Sequence, residues 1–161
     1  MRRVINSPVG PVTLYADNKG VTGLFFGDIS HKDGYFCEDN KGDKYNASKF
    51  LDLCEKELNA YFAGKLRQFT VPVKAKGTPF RERVWDELCQ IPYGETASYK
   101  DIAERIGNPK AVRAVGGANH NNPISIIIPC HRVIGASGSL TGYGGGLEAK
   151  KLLLELEANN K

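Results

Sequence analysis

Two hydrophobic rhythms divide this chain. In the first third, apolar residues come in short runs: Val4-Ile5-Asn6, Val12-Thr13-Leu14-Tyr15-Ala16 and Val21-Thr22-Gly23-Leu24-Phe25-Phe26. Short runs rich in β-branched and aromatic residues predict three strands. Pro8-Val9-Gly10-Pro11 and Asp17-Asn18-Lys19-Gly20 separate them with turn formers, which predicts an antiparallel meander. Residues 28–46 are polar, with Gly34 and Gly42, and predict a mobile loop. The rhythm then lengthens. Phe50, Leu51, Cys54, Leu58, Tyr61 and Phe62 recur at three- and four-residue spacing, predicting a helix over 47–63 closed by Gly64. Cys54 lies on that stripe and reads as a core thiol. Gln68–Val73 predicts one more strand, confined to an edge by Pro72.

After Lys74-Ala75-Lys76-Gly77 the helical rhythm dominates, so the chain reads as an N-terminal α/β domain over 1–73 and a second domain over 78–161. Thr78 is placed to cap a helix that opens with Pro79. Phe80, Val84, Trp85, Leu88 and Cys89 form its apolar face, making Cys89 a second expected core thiol. Ser98-Tyr99-Lys100-Asp101 has the form of a capping box. Ile102, Ala103 and Ile106 continue that helix, and Gly107-Asn108 turns the chain. Asn108 is expected to cap a following helix from Pro109 through Ala118. Two short helices around a glycine-containing turn form a helix-turn-helix, whose second helix would carry Lys110 and Arg113. Ile124–Ile128 predicts a buried strand leading to Pro129-Cys130-His131-Arg132-Val133-Ile134. A glycine-rich loop over 135–146 and a helix from near Leu147 to near Glu157 complete the chain.

Charge sharpens this picture. Between Glu104 and Glu148 there is no acidic residue, while Arg105, Lys110, Arg113 and Arg132 are present. That stretch is either a face for a polyanion such as nucleic acid or a charge-poor core segment with a few solvated bases. No apolar run approaches the roughly 18 residues of a membrane span, and the N-terminus lacks the apolar stretch of a signal peptide, so a cytoplasmic protein is expected. The four cysteines, 37, 54, 89 and 130, include no C-x-x-C pair and suggest reduced thiols. A zinc site built from His31 and Cys37 would not match the common structural zinc spacings, so no metal is expected.

Cys130 differs from the other thiols. It ends an apolar run and is followed at once by His131 and Arg132. A cysteine reacts as its thiolate, which nearby positive charge or a proton-accepting histidine favours. His131 is a candidate base, directly or through one water, and Glu157 is one candidate to orient it. Adjacent residues of a strand point to opposite faces, so direct contact would need a turn at Cys130. The plainer alternative is a buried cysteine beside a surface histidine.

The stretch Asn122-Pro123-Ile124-Ser125-Ile126-Ile127-Ile128-Pro129-Cys130-His131-Arg132-Val133-Ile134 resembles the active-site signature of the O6-alkylguanine-DNA alkyltransferases. The resemblance extends over Tyr93-Gly94, Ser98-Tyr99, Gly107–Ala111, Arg113–Gly116, Thr141-Gly142-Tyr143, Gly145–Leu147 and Glu157, covering about residues 78–157. It implies an α+β protein: a ribonuclease-H-like antiparallel sheet with a helix, then a helical, winged-helix-like domain containing the helix-turn-helix. It implies direct repair of double-stranded DNA containing O6-alkylguanine, with O4-methylthymine as a second candidate substrate. One alkyl group would pass irreversibly to Cys130 per chain, after base flipping, in a monomer without a cofactor.

The resemblance also implies roles. His131 would act as the base through a water, Glu157 would hold His131, and Asn122 would brace the turn before the acceptor. Tyr99 would help extrude the nucleotide and donate a proton toward guanine. Arg113 would enter the base stack, on a helix whose Lys110, Ala111, Ala114 and Gly116 meet the minor groove. Tyr143 and the backbone of Gly144 would wall the pocket, and the Val133 carbonyl would accept the guanine amino group. Where the family often has Ser or Ala, this chain has Gly144. Two other classes compete: a lesion sensor of the alkyltransferase-like type, which lacks the acceptor cysteine, and a sequence-specific helix-turn-helix regulator.

Overall fold

The computed structural model describes residues 1–36, 44–138, 143 and 145–161. The chain divides into two compact units, Met1–Ala75 and Lys76–Lys161.

In the first unit, β1 (Arg2–Ile5), β2 (Val12–Ala16) and β3 (Val21–Phe26) form the expected antiparallel meander. Val12 faces Phe26 and Leu14 faces Leu24 across the central pair. All five residues of β2 are buried. One reason is that residues 28–36, part of the stretch expected as loop, contain the short helix α1 (Asp33–Phe36). The Phe36 ring stacks on Tyr15 at 5.0 Å, Tyr15 donates its hydroxyl to Asp33, and Thr13 exchanges hydrogen bonds with Gly27 and Ile29. Helix α2 (Lys44–Phe62) packs on β2 and β3 through a face that buries Leu51, Cys54, Leu58 and Tyr61. Each large apolar side chain buried there contributes about 1.5–3 kcal/mol. Cys54 is the core thiol the stripe predicts.

Gln68–Val73 is not a strand. Only Val73 pairs, through one parallel bridge to Val21. Pro72 has no N–H to donate, and the N–H groups of Thr70 and Val71 are taken instead by the buried carboxylate of Glu57.

In the second unit, Thr78 caps α3 (Pro79–Leu88) by accepting from the Arg81 N–H. Val84, Trp85 and Leu88 turn inward, and the Trp85 indole donates to the Ala118 carbonyl at 2.8 Å. Cys89 is exposed rather than core, because the helix ends one residue earlier and Cys89 leaves the inward face as its C-cap. The predicted capping box opens α4 (Tyr99–Arg105), with both the Ser98 and Asp101 side-chain bonds made.

Asn108 does not cap the next helix. The Gly107 N–H bonds to Glu104 and the Asn108 N–H to Ala103, a Schellman closure of α4 that places Gly107 at φ 79°. Asn108 is thereby committed to the end of one helix, and α5 (Val112–His120) starts only at Val112. Lys110 therefore lies in the turn and Ala111 at the N-cap.

A two-stranded parallel pair, β4 (Ala97–Ser98) and β5 (Val133–Ile134), was not anticipated. The last helix, α6, spans Leu147–Asn159. Among the described residues, no helix is long and apolar enough to cross a membrane.

Candidate functional site

The segment before Cys130 is a chain of tight turns, not a strand. The Ile127 N–H reaches the Ser125 carbonyl over Ile126, whose φ is 72°, the left-handed γ-turn. The Cys130 N–H reaches Ile128 over Pro129, at φ −80° and ψ 63°, the inverse form of the same turn. A β-branched residue held at positive φ costs about 1–3 kcal/mol, so something must hold it there. Asn122 does part of this: its Oδ1 accepts from the Ile124 N–H and its Nδ2 donates to the Ile128 carbonyl, both at 2.9 Å.

The chain then enters a 3-10 turn, Cys130–Arg132, with all three residues buried. This turn supplies the break in strand alternation that a working Cys–His pair needs. Cys130 is 3% exposed. Burial pushes its thiol up, while hydrogen bonds from the side chains of Asn122, Tyr143 and Ser125 and the charge of Lys150 act in the opposite direction. The resting sulfur is a neutral thiol already surrounded by groups that favour its thiolate.

His131 is fully buried, with Nε2 2.7 Å from Glu157 Oε2. Glu157 also accepts from Arg132 Nε at 2.8 Å, Arg132 Nη2 at 3.1 Å and the Gly94 N–H at 3.2 Å. A carboxylate with that many donors is ionised, so Nε2 carries the hydrogen and Nδ1 keeps its lone pair. His131 Nδ1 is buried and has no partner among the described residues. Burial holds the His131 pKa below its ordinary 6.5, against the pull of Glu157. The imidazole is therefore neutral and able to take a proton.

Arg132 is not part of an exposed basic face. It is buried, bidentate to Glu157, and fixed by a third bond from Nη1 to the Ile91 carbonyl. Lys150 is a site residue that the sequence reading missed. It is 0% exposed, and its Nζ donates to the Val133 carbonyl at 2.6 Å, with the Tyr143 ring centroid 5.9 Å away. A signal for it existed: Lys150, Leu153 and Glu157 fall at i, i+3 and i+7, the spacing of one inward helix face. Asn119 was missed too; its Nδ2 donates to the Cys130 carbonyl at 3.4 Å.

Asn122 is thus hydrogen-bonded to Cys130 and Glu157 to His131, two pairs that adjoin at the Cys130–His131 peptide. Tyr99 is the first residue of α4, immediately after Ser98, which pairs with Ile134 just beyond the 3-10 turn. Arg113 and Ala114 are exposed on α5, with Lys110 exposed in the preceding turn and Ala111 and Gly116 half-buried. Tyr143 is half-buried. Gly144, Thr141, Gly142 and Cys37 lie outside the described residues.

A family model described as the DNA binding domain of 6-O-methylguanine DNA methyltransferase matches residues 79–159. A second, its ribonuclease-like domain, matches residues 1–75. A methylated-DNA–protein-cysteine methyltransferase of Methanosarcina barkeri is 48% identical over 157 residues, covering 98% of this chain and 96% of that relative. One from Mycobacterium tuberculosis is 49% identical over 155 residues, covering 96% and 90%. Among solved structures, the Mycobacterium tuberculosis protein OGT in complex with DNA superposes with a TM-score of 0.84 at 48% identity, covering 99% of this chain and 93% of that one. An O6-methylguanine DNA methyltransferase from Methanococcus jannaschii gives 0.67 at 30% identity, covering 99% and 95%. The expected α+β architecture, a ribonuclease-like unit followed by a helical DNA-binding unit, is the architecture of these matches. With both units matched and close relatives spanned almost end to end, the chain belongs to the O6-methylguanine DNA methyltransferase family.

Proposed function

We propose that Cys130 removes the alkyl group from O6-alkylguanine in double-stranded DNA, once per chain and without a cofactor. The observation that carries this is the buried Cys130-His131-Glu157 arrangement, with a hydrogen-bonded sulfur on one side and a clamped carboxylate on the other. As the base docks, the thiol proton passes through one water to His131 Nδ1, and Glu157 balances the imidazolium that forms. The sulfur attacks the alkyl carbon; the S–C bond forms as the C–O6 bond breaks. The electron pair moves onto guanine, which takes a proton from Tyr99. A thioether is a poor leaving group and no second thiol adjoins it in sequence, so the acceptor is consumed.

The alkyl carbon is out of reach within a duplex, so the nucleotide is flipped, at a cost of a few kcal/mol. Arg113 offsets part of that cost by filling the vacated stack. Ala111, Ala114 and Gly116 keep α5 slim enough for the narrow groove, and Lys110 contacts the backbone. Tyr143 and Gly144 wall the pocket. The Val133 carbonyl, one lone pair of which is taken by Lys150, offers the other to the guanine amino group. O4-methylthymine is the second candidate substrate. The protein works as a cytoplasmic monomer, away from membranes.

Incubation with O6-methylguanine duplex is expected to add one methyl mass to the peptide carrying Cys130. Folded protein without that adduct overturns the reading. Arg113→Ala is expected to slow duplex repair about tenfold, taking one stack-filling contact as ~1.4 kcal/mol, while leaving reaction with a free base analogue nearly unchanged. Equal losses on both substrates remove the flipping role.

A further inference from the structure

Two buried acceptors in the second unit have no donor among the described residues: His131 Nδ1 and Asn119 Oδ1. The proposed transfer reaction uses the first and leaves the second unused. Asn119 belongs to the buried face of α5 and is 5% exposed. Its Nδ2 donates to the carbonyl of Cys130 itself. A carbonyl bonds only to the NH2 end of an amide, so this contact sets which way the amide faces and turns Oδ1 away from that carbonyl. A buried acceptor without a donor is costly to keep, which points to a ligand that supplies one.

Transfer to Cys130 requires its surroundings to open and admit a base, because Cys130 is only 3% exposed. An amide bonded to the carbonyl of the same residue comes within reach by the same opening. Alkylation at O6 leaves guanine N1 without a proton, so the only N–H bonds on the modified base are those of its exocyclic 2-amino group. We propose that Asn119 Oδ1 accepts a hydrogen bond from this 2-amino group, making Asn119 a determinant of guanine specificity. O4-methylthymine has no N–H on its ring and presents the lone pairs of O2, so the same atom disfavours it. This inference rests on Cys130 as the acceptor.

The test uses the full chain and three duplexes, carrying O6-methylguanine, O6-methylhypoxanthine (the same base without its 2-amino group) or O4-methylthymine. Single-turnover methyl transfer is measured for the wild type and Asn119→Leu. The preference for O6-methylguanine over O6-methylhypoxanthine is expected to fall about fivefold in the variant, the worth of one neutral hydrogen bond, and relative transfer from O4-methylthymine to rise. An unchanged preference overturns the proposal even if all rates drop together, because a uniform loss marks a residue that merely positions Cys130. If Asn119→Leu does not fold, as judged by circular dichroism, Asn119→Ala is read by the same ratio. Wild-type protein that takes no methyl group from O6-methylguanine defeats the acceptor reading instead. An active wild type whose preference ignores both substitutions defeats only the assignment of Asn119.

Discussion

Cys54 and Cys130 are removed from water to nearly the same degree, at 0% and 3% exposure, yet their surroundings differ in sign. Cys54 lies on α2 beside Glu55 and Glu57; burial and those two negative charges push its thiol up to about 12. Cys130 is raised by burial as well, but side-chain donors from Asn122, Ser125 and Tyr143 and the positive charge of Lys150 oppose the rise. The buried carboxylates repeat the contrast. Glu57 is spent on the backbone of Thr70 and Val71 and on the Thr70 hydroxyl, which closes a chain segment. Glu157 is spent on His131, Arg132 and Gly94, which orients the proposed base. Burial alone makes a thiol or a carboxylate inert; the identity of its partners decides whether it does chemistry.

The sharpest way to break the comparison is to exchange the thiols' fates. Cys130→Ser is expected to abolish alkyl transfer in a folded protein, whereas Cys54→Ala should leave the transfer rate within about twofold and cost about 1 kcal/mol of stability, as small core truncations do. Loss of transfer in Cys54→Ala at full folding would mean the two units share the chemistry. Next in size, Glu157→Gln is expected to slow transfer about 100-fold, the usual scale for a misdirected general base, and to destabilise by about 3–5 kcal/mol because Arg132 becomes an unpaired buried cation. Glu57→Gln should lower the melting temperature without touching the rate constant. Rates and melts measured on both variants decide it, and matching kinetic losses would erase the distinction.

A smaller effect lies in the pH profile. Transfer needs neutral His131, so its rate is expected to hold above pH 6.5 and to fall only at lower pH, where the depressed folded-state pKa lies. Removing the Glu157 charge takes away the influence that raises that pKa, so the acid limb should move lower still in Glu157→Gln. Stability follows the same sign. Between the folded pKa and 6.5 the unfolded chain binds the extra proton, so the contribution of His131 is complete above 6.5 and is lost as pH falls. The buried Cys130 thiol has the opposite limb: its contribution is complete below its ordinary 9.0 and is lost as pH rises beyond it. Urea titrations across pH 5–10 would show a plateau between these limits, and an acid limb centred above pH 6.5 would contradict the placement of His131.

Much of this protein was legible in its sequence. Strand runs and helix stripes depend on near neighbours, so the meander, α2, α3 and the capping box could be read from local spacing. The proposed acceptor stood out in the sequence for another reason: proline, cysteine, histidine and arginine in direct succession form a pattern carried by chain order itself. Tertiary structure alone decided what competes for each backbone group and which side chains converge. Gln68–Val73 fails as a strand because Glu57, 13 residues before Thr70, takes its N–H groups. Ile124–Ile128 turns instead of extending because Asn122 holds both of its ends. Asn108 does not cap α5 because its carbonyl closes a turn to the Ala111 N–H and the helix begins only at Val112. Arg132 leaves the surface because Glu157 arrives from a helix 25 residues later. In each case the local pattern stated a preference and a hydrogen-bonding partner overrode it, one 13 to 25 residues away for Glu57 and Glu157 and one within six residues for Asn122 and Asn108, since a buried polar group must be satisfied by whatever the fold brings to it.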